Sequence, residues 1–195
     1  FVLYKLAADQ GDHIAQFNLG IKYATGHGVI QSDTLAFKYW KLSAIQGLAD
    51  AQHNVGHRYY TGTGVEQSDT KSFEFFKLAA DQGHRSAQFN LGCKYAQGQG
   101  VNQSDTLAFK YFQLSAIQGH AKAQFNVGHM YANGIGVDQS FTEAREWWNK
   151  AAANEDVDAI KNLKRLDEMD KRTTTTSSTF TDNTIACSKC NKPQT

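Results

Sequence analysis

The chain has 195 residues, enough for one sizeable domain or a short repeat array, and its 20 basic against 19 acidic residues leave a net charge of +1. That balance excludes the clustered positive excess of a nucleic-acid footprint, and no stretch approaches the roughly 20 apolar residues of a membrane span. The 16 glycines and single proline, Pro193, suit helices punctuated by short turns, and 3 cysteines are too few for a disulfide framework, which favours a reducing, intracellular compartment.

Internal repetition organises the elements. Ala15, Ala51, Ala87 and Ala123 stand 36 residues apart (51 − 15), and in phase with them run Leu19, Val55, Leu91 and Val127, then Gly20, Gly56, Gly92 and Gly128, then Tyr23, Tyr59, Tyr95 and Tyr131. Each tyrosine is followed by a Gly-x-Gly-Val turn, from Gly26–Val29 to Gly134–Val137. A longer period is superimposed: Lys5–Gly11 returns unchanged as Lys77–Gly83, and Ser32–Tyr39 as Ser104–Tyr111, so a two-repeat unit was duplicated.

Taken in chain order, Phe1 aligns with Phe37, so residues 1–14 read as the second helix of a truncated preceding repeat. Full repeats follow at 15–50, 51–86, 87–122 and 123–158, each predicted as two helices. In the first helix the apolar positions 15, 19 and 23 share one face, and the Gly-x-Gly pair stops it. Ser32 or Asp33 can cap the second helix, whose stripe is Ala36, Phe37, Tyr39, Trp40 and Ala44, and Gly47 ends it. The fourth repeat offers Ser140-x-x-Glu143 as a capping box instead and ends on Asn154-Glu155 rather than Gln-Gly. Residues 159–172 pair an apolar stripe, Ala159, Leu163 and Leu166, with a polar remainder, as a terminal capping helix should. From Thr173 the tail is threonine- and serine-rich and reads as disordered linker. It carries Cys187-x-x-Cys190, which is either the start of a zinc finger that continues beyond Thr195 or an incidental or redox-active pair.

The frame Ala-x-x-x-Leu-Gly-x-x-Tyr-x-x-Gly-x-Gly-Val, then Asp, an aromatic pair and Ala-Ala-x-Gln-Gly, resembles the Sel-1-like repeat over about residues 1–166. This family is related to the tetratricopeptide repeat. The resemblance implies an all-α, right-handed solenoid of antiparallel helix pairs used as an adaptor. It also implies relatives in ER-associated degradation complexes, among chitin synthase activators and beside kinase domains. A secreted bacterial branch linked to β-lactam binding carries a cysteine pair in each repeat, which is absent here.

A partner surface follows from the helical wheel at about 100° per residue. Positions 15, 19 and 23 face the second helix and Phe17 faces a neighbouring repeat, which leaves an arc centred on Asn18, Asn54, Asn90 and Asn126. In related solenoids the first helices line the concave surface. A cation follows four residues later in three repeats, at Lys22, Arg58 and Lys94, and His57 and His129 lie on the same arc. Such a ladder can bind an extended peptide or carboxylates. Alternatively, the asparagines bond the next repeat's backbone and the cations are simply solvated; both readings stay open.

Other motifs carry no chemistry. The Gly-x-Gly loops follow helices and never complete Gly-x-Gly-x-x-Gly. His53 and His57 supply two ligands where a catalytic zinc needs about three, and no nucleophile–base arrangement has suitable context. No catalytic residue, metal or cofactor is assigned. The expected function is a scaffold or adaptor that binds a protein or peptide on its concave surface. The alternative is a regulatory or substrate-docking arm of a larger enzyme, such as a kinase or ubiquitin ligase, whose catalytic part lies outside this sequence.

Overall fold

The computed structural model describes residues 2–181, with side chains described to Lys171. Ten helices and no strand occur among the described residues: α1 Val2–Asp9, α2 His13–Thr25, α3 Asp33–Ile45, α4 Ala49–Thr61, α5 Asp69–Asp81, α6 Arg85–Gln97, α7 Asp105–Ile117, α8 Ala121–Asn133, α9 Phe141–Ala152 and α10 Val157–Thr181. The most extensive contacts run between chain neighbours. The tightest pairs are α2 with α3, α4 with α5, α6 with α7 and α8 with α9, and α1, the even–odd junctions and α10 continue the stack. This is an α-solenoid.

Within each pair the first helix buries the expected positions. Leu19, Val55, Leu91 and Val127 are fully buried, beside Ala51, Ala87 and Ala123. Close helix approach depends on glycine. A Cβ added to Gly92 would lie 2.7 Å from the Phe112 ring, a separation real side chains do not tolerate. The loop glycine Gly100 serves the junction between repeats: its φ is +73°, and a Cβ there would fall 2.3 Å from the Asp69 carbonyl oxygen of the preceding repeat. Main chain therefore packs on main chain from one repeat to the next.

Capping explains where the helices begin. Ser32, Ser68, Ser104 and Ser140 each accept from the backbone N–H three residues on, and Asp33, Asp69 and Asp105 are the first helical residues of α3, α5 and α7. The first helices start two residues before the repeat-opening alanines. Asp12 caps α2 and Asp156 caps α10, whereas His84 and His120 cap α6 and α8 through Nδ1. A histidine is not a usual capping signal, which hides those starts from a reading of sequence. The linker expected from Thr173 is instead helical to Thr181. The body of α10 is anchored by buried Ala159 and Leu166 and by Arg145, which pairs with Asp167 and Asp170. Cys187 and Cys190 lie outside the described residues.

A polar ladder runs through the core. Gln16, Gln52, Gln88 and Gln124 are buried on the first helices. Each Nε2 donates to an alanine carbonyl of the preceding helix: Ala8, Ala44, Ala80 and Ala116. Each Oε1 accepts from the residue that closes its own repeat: Gln46, Gln82, Gln118 and, in the fourth, Asn154. One amide thus joins three helices across a repeat boundary.

Replacing Gln88 with Leu removes both its donation to the Ala80 carbonyl and its acceptance from Gln118, and is expected to destabilise the array by about 2 kcal/mol in denaturant unfolding. Glu155, the non-glycine residue held at φ +61° where earlier repeats place glycine, gives the opposite case. Glu155→Gly is expected to stabilise by about 1 kcal/mol in the same assay.

Candidate functional site

The first helices border four pockets, three of them between successive first helices and one where α2 meets α1. Asn18 and Lys22 line the first, about 460 Å³, with Tyr4 and Ile21. His57, Asn90 and Lys94 line another between α4 and α6, about 270 Å³, with Tyr60 and Cys93. Asn126 and His129 line the next, between α6 and α8, about 330 Å³, with Cys93, Asp105 and Met130. His129 also borders a fourth, about 400 Å³, where α8 meets α10 at Leu166 and Met169. Asn54 and Arg58 line none of these four.

The three cations of the arc are engaged differently from one another. Arg58, whose side chain is 16% exposed, reaches back to Asp33 at 2.9 Å and covers the Trp40 ring at 5.0 Å. Lys94, 3% exposed, bonds Asp69 and lies 4.6 Å over the Tyr60 ring centre. Both pairs join the first turn of a second helix to the last turn of the following first helix. Each charge therefore also complements the dipole of its own helix. Neither cation is simply solvated. Lys22 lies 5.7 Å from the Tyr4 ring centre.

The asparagines divide as well. Asn90 Nδ2 donates to Nε2 of His53 in the preceding repeat at 3.2 Å, a side-chain rather than a backbone partner. The side chains of Asn18 and Asn126 have no hydrogen-bond partner among the described residues, and they line two of the pockets. Cys93 lies between two pockets, and burial pushes its thiol up to about 11, far from a reactive thiolate. Among the described residues, no three His, Cys, Asp or Glu side chains gather as a metal cluster, and no helix is long and apolar enough to cross a membrane.

The repeat geometry, the glycine junctions and the row of pockets all follow one unit, and that unit has a family. The family model described as Sel1 repeat matches residues 1–12, 13–48, 49–84, 85–120 and 121–156. The chain belongs to the Sel1 repeat family. Among solved structures it is similar to a Sel1 repeat protein from Oxalobacter formigenes, with 36% identity and a TM-score of 0.78 over 85% of this chain and 48% of that one. It spans about half the length of that relative. A second similarity, 29% identity and a TM-score of 0.47 over 82% of this chain and 42% of the other, is to c5321, a protective antigen of uropathogenic Escherichia coli with an SLR fold. No curated protein matches the chain. Sel1 repeat proteins are generally protein-interaction scaffolds rather than enzymes.

The repeat boundaries of this Sel1 array contain stacked imidazoles that a helical wheel does not pair. The third position of the repeat is Phe17, His53, Phe89 and Phe125 in turn, and in two repeats its ring meets the cap of the next first helix. His53 stacks on His84 at 4.6 Å, and Phe89 on His120 at 4.5 Å. Capping through Nδ1 requires that nitrogen to carry a lone pair, so the ring must not be doubly protonated. His84 Nε2 also meets Asp50 at 3.1 Å. Burial, then the neighbouring His84, lowers His53 from 6.5 to about 4. Burial likewise lowers His57 and His120.

The sign of the pH effect follows. Between about 4 and 6.5 the unfolded chain takes a proton that the folded His53 refuses, so stability is complete above 6.5 and declines as pH falls toward 4. The His53 share is on the order of 2 kcal/mol. Melting curves from neutral to mildly acidic pH should show this decline, and His53→Phe, the residue of the other three repeats, should flatten it.

Proposed function

We propose that this array is an adaptor that binds a partner protein along the face lined by its first helices. The row of pockets carries the reading. Three recur between successive first helices, from Asn90 through Asn126 to His129 and Leu166, and a fourth lies where α1 meets α2 at Asn18. Each is 270–460 Å³, the scale of individual side-chain or small-ligand sites. A periodic row suits an extended segment whose side chains enter successive pockets while half-buried amides such as Asn18 and Asn126 meet its backbone. The face is the concave one in the solenoid geometry that the family implies.

Arg58 and Lys94 shape this surface from below rather than offering free charges, because each already neutralises an aspartate. The contacts left for a partner are the asparagine amides, His57, His129 and the apolar walls. Selectivity then resides in residues that differ between pockets, such as Ile21, His57, Cys93 and His129 at one repeat position.

A photo-crosslinking amino acid placed at Gln97, exposed and bordering two of the pockets, should yield a discrete adduct in cells that make the protein. The same group at Glu74, exposed on a second helix, should yield far less. Equal or stronger adducts from Glu74 would place the interface elsewhere and defeat the proposal.

A further inference from the structure

The repeats serve as templates for one another, and one junction departs from the template. At two junctions the first aspartate of a second helix is met by a cation 25 residues later: Asp33 by Arg58 and Asp69 by Lys94. At the next junction the aspartate remains, as Asp105, but the corresponding residue is Met130. Asp105 is exposed and has no ion pair or side-chain hydrogen bond among the described residues. Two further exchanges open the same place. Tyr60, whose ring lies under Lys94, becomes Ala96, and Gln99 becomes Ile135. The result is the pocket of about 330 Å³ bordered by Ala96, Asp105, Asn126, Met130 and Ile135.

We propose that this pocket receives one basic side chain, a lysine or arginine, of a partner protein. The partner's charge takes the position that Lys94 occupies in the preceding repeat, and its aliphatic stem lies along Ala96, Met130 and Ile135. Charge complementarity selects this occupant. A lone carboxylate at the first turn of α7, set in a largely apolar wall, matches a long side chain with an apolar stem and cationic tip. An acidic or purely apolar side chain leaves one of the two features unmatched. The sequence duplication sharpens the contrast: Met130 stands where the earlier two-repeat unit has Arg58, 72 residues before (130 − 58). The same aspartate site is therefore filled from within in one copy and left open in the other.

This inference rests on the first-helix face being the binding surface, and its test is independent of the crosslinking at Gln97. The chain contains 2 methionines, Met130 and Met169, so methyl-labelled methionine gives two resonances, one of them in the pocket. The full chain is titrated with acetyl-Ala-Leu-Lys-Leu-Ala-amide and with its norleucine analogue, which has a neutral side chain in place of lysine. The Met130 methyl should shift saturably with the lysine peptide, and the norleucine peptide should bind about tenfold more weakly, the effect of roughly one charge-assisted contact. Asp105→Asn, on an exposed side chain that does not threaten folding, should erase that preference. Met130→Lys, read at the Ala96 and Ile135 amides, should fill the pocket from within and abolish binding, with melting at or above that of the parent chain.

Equal binding of the two peptides, a preference that survives Asp105→Asn, or undiminished binding by folded Met130→Lys would each overturn the proposal. Binding of n-pentylamine as tight as that of the lysine peptide would reassign the pocket to a free amine and overturn the protein source. Loss of the preference with an intact Gln97 adduct would leave the scaffold standing and remove only the basic-side-chain assignment.

Discussion

The buried glutamine of each first helix is the constraint on which the stack depends. An amide shielded from water must satisfy both its donor and its acceptor, and Gln52 does so only when α3 lies on one side and the end of α5 on the other. Apolar contacts alone would permit neighbouring repeats to slide, since burial is nearly indifferent to small shifts along a helix. The hydrogen bonds are not. Four such amides, one per repeat, convert a slippery helical stack into one with a fixed register. The fourth keeps the arrangement with Asn154, a side chain one methylene shorter, where the closing Gln-Gly has been lost.

Electrostatics reinforces the same register from the other end of each helix pair. Asp33 and Asp69 begin second helices, and Arg58 and Lys94 lie near the ends of the following first helices. Their charges oppose each other and also suit the helix termini that carry them. The glutamine ladder and the ion pairs grip opposite ends of a repeat boundary. A boundary that loses its ion pair, as at Met130, still keeps its glutamine, its serine cap and its glycine contact. Loss of one cation there leaves the architecture intact and changes the surface.

The fold was readable because 36-residue periodicity, glycine punctuation and serine caps are local signals. The buried alanines, leucines and valines of the first helices lie where the helical wheel puts them. The glutamine ladder is less legible although its signal is present. Gln16 follows Ala15 by one position, so its side chain falls at the edge of the apolar arc, and a polar residue recurring there in four repeats marks a buried hydrogen bond. The ion pairs are illegible for another reason. A wheel drawn for one helix assigns Arg58 and Lys94 to an outer arc but contains no neighbour, whereas their partners lie 25 residues earlier on a different helix. The histidine caps of α6 and α8 were hidden because capping by imidazole depends on ring orientation, which sequence does not display.

The contact of Gly100 with the Asp69 carbonyl has a consequence beyond packing. Where adjacent repeats meet through main chain as well as through the glutamines and ion pairs, the turn from each repeat to the next owes little to the residues that differ between pockets. Curvature and recognition are then separate inheritances. Each pocket can be rewritten by two or three substitutions without bending the rest, whereas adding or removing a repeat changes only the pockets that it borders. A chain built this way acquires new specificities one step at a time, as letters are exchanged in a line of fixed type.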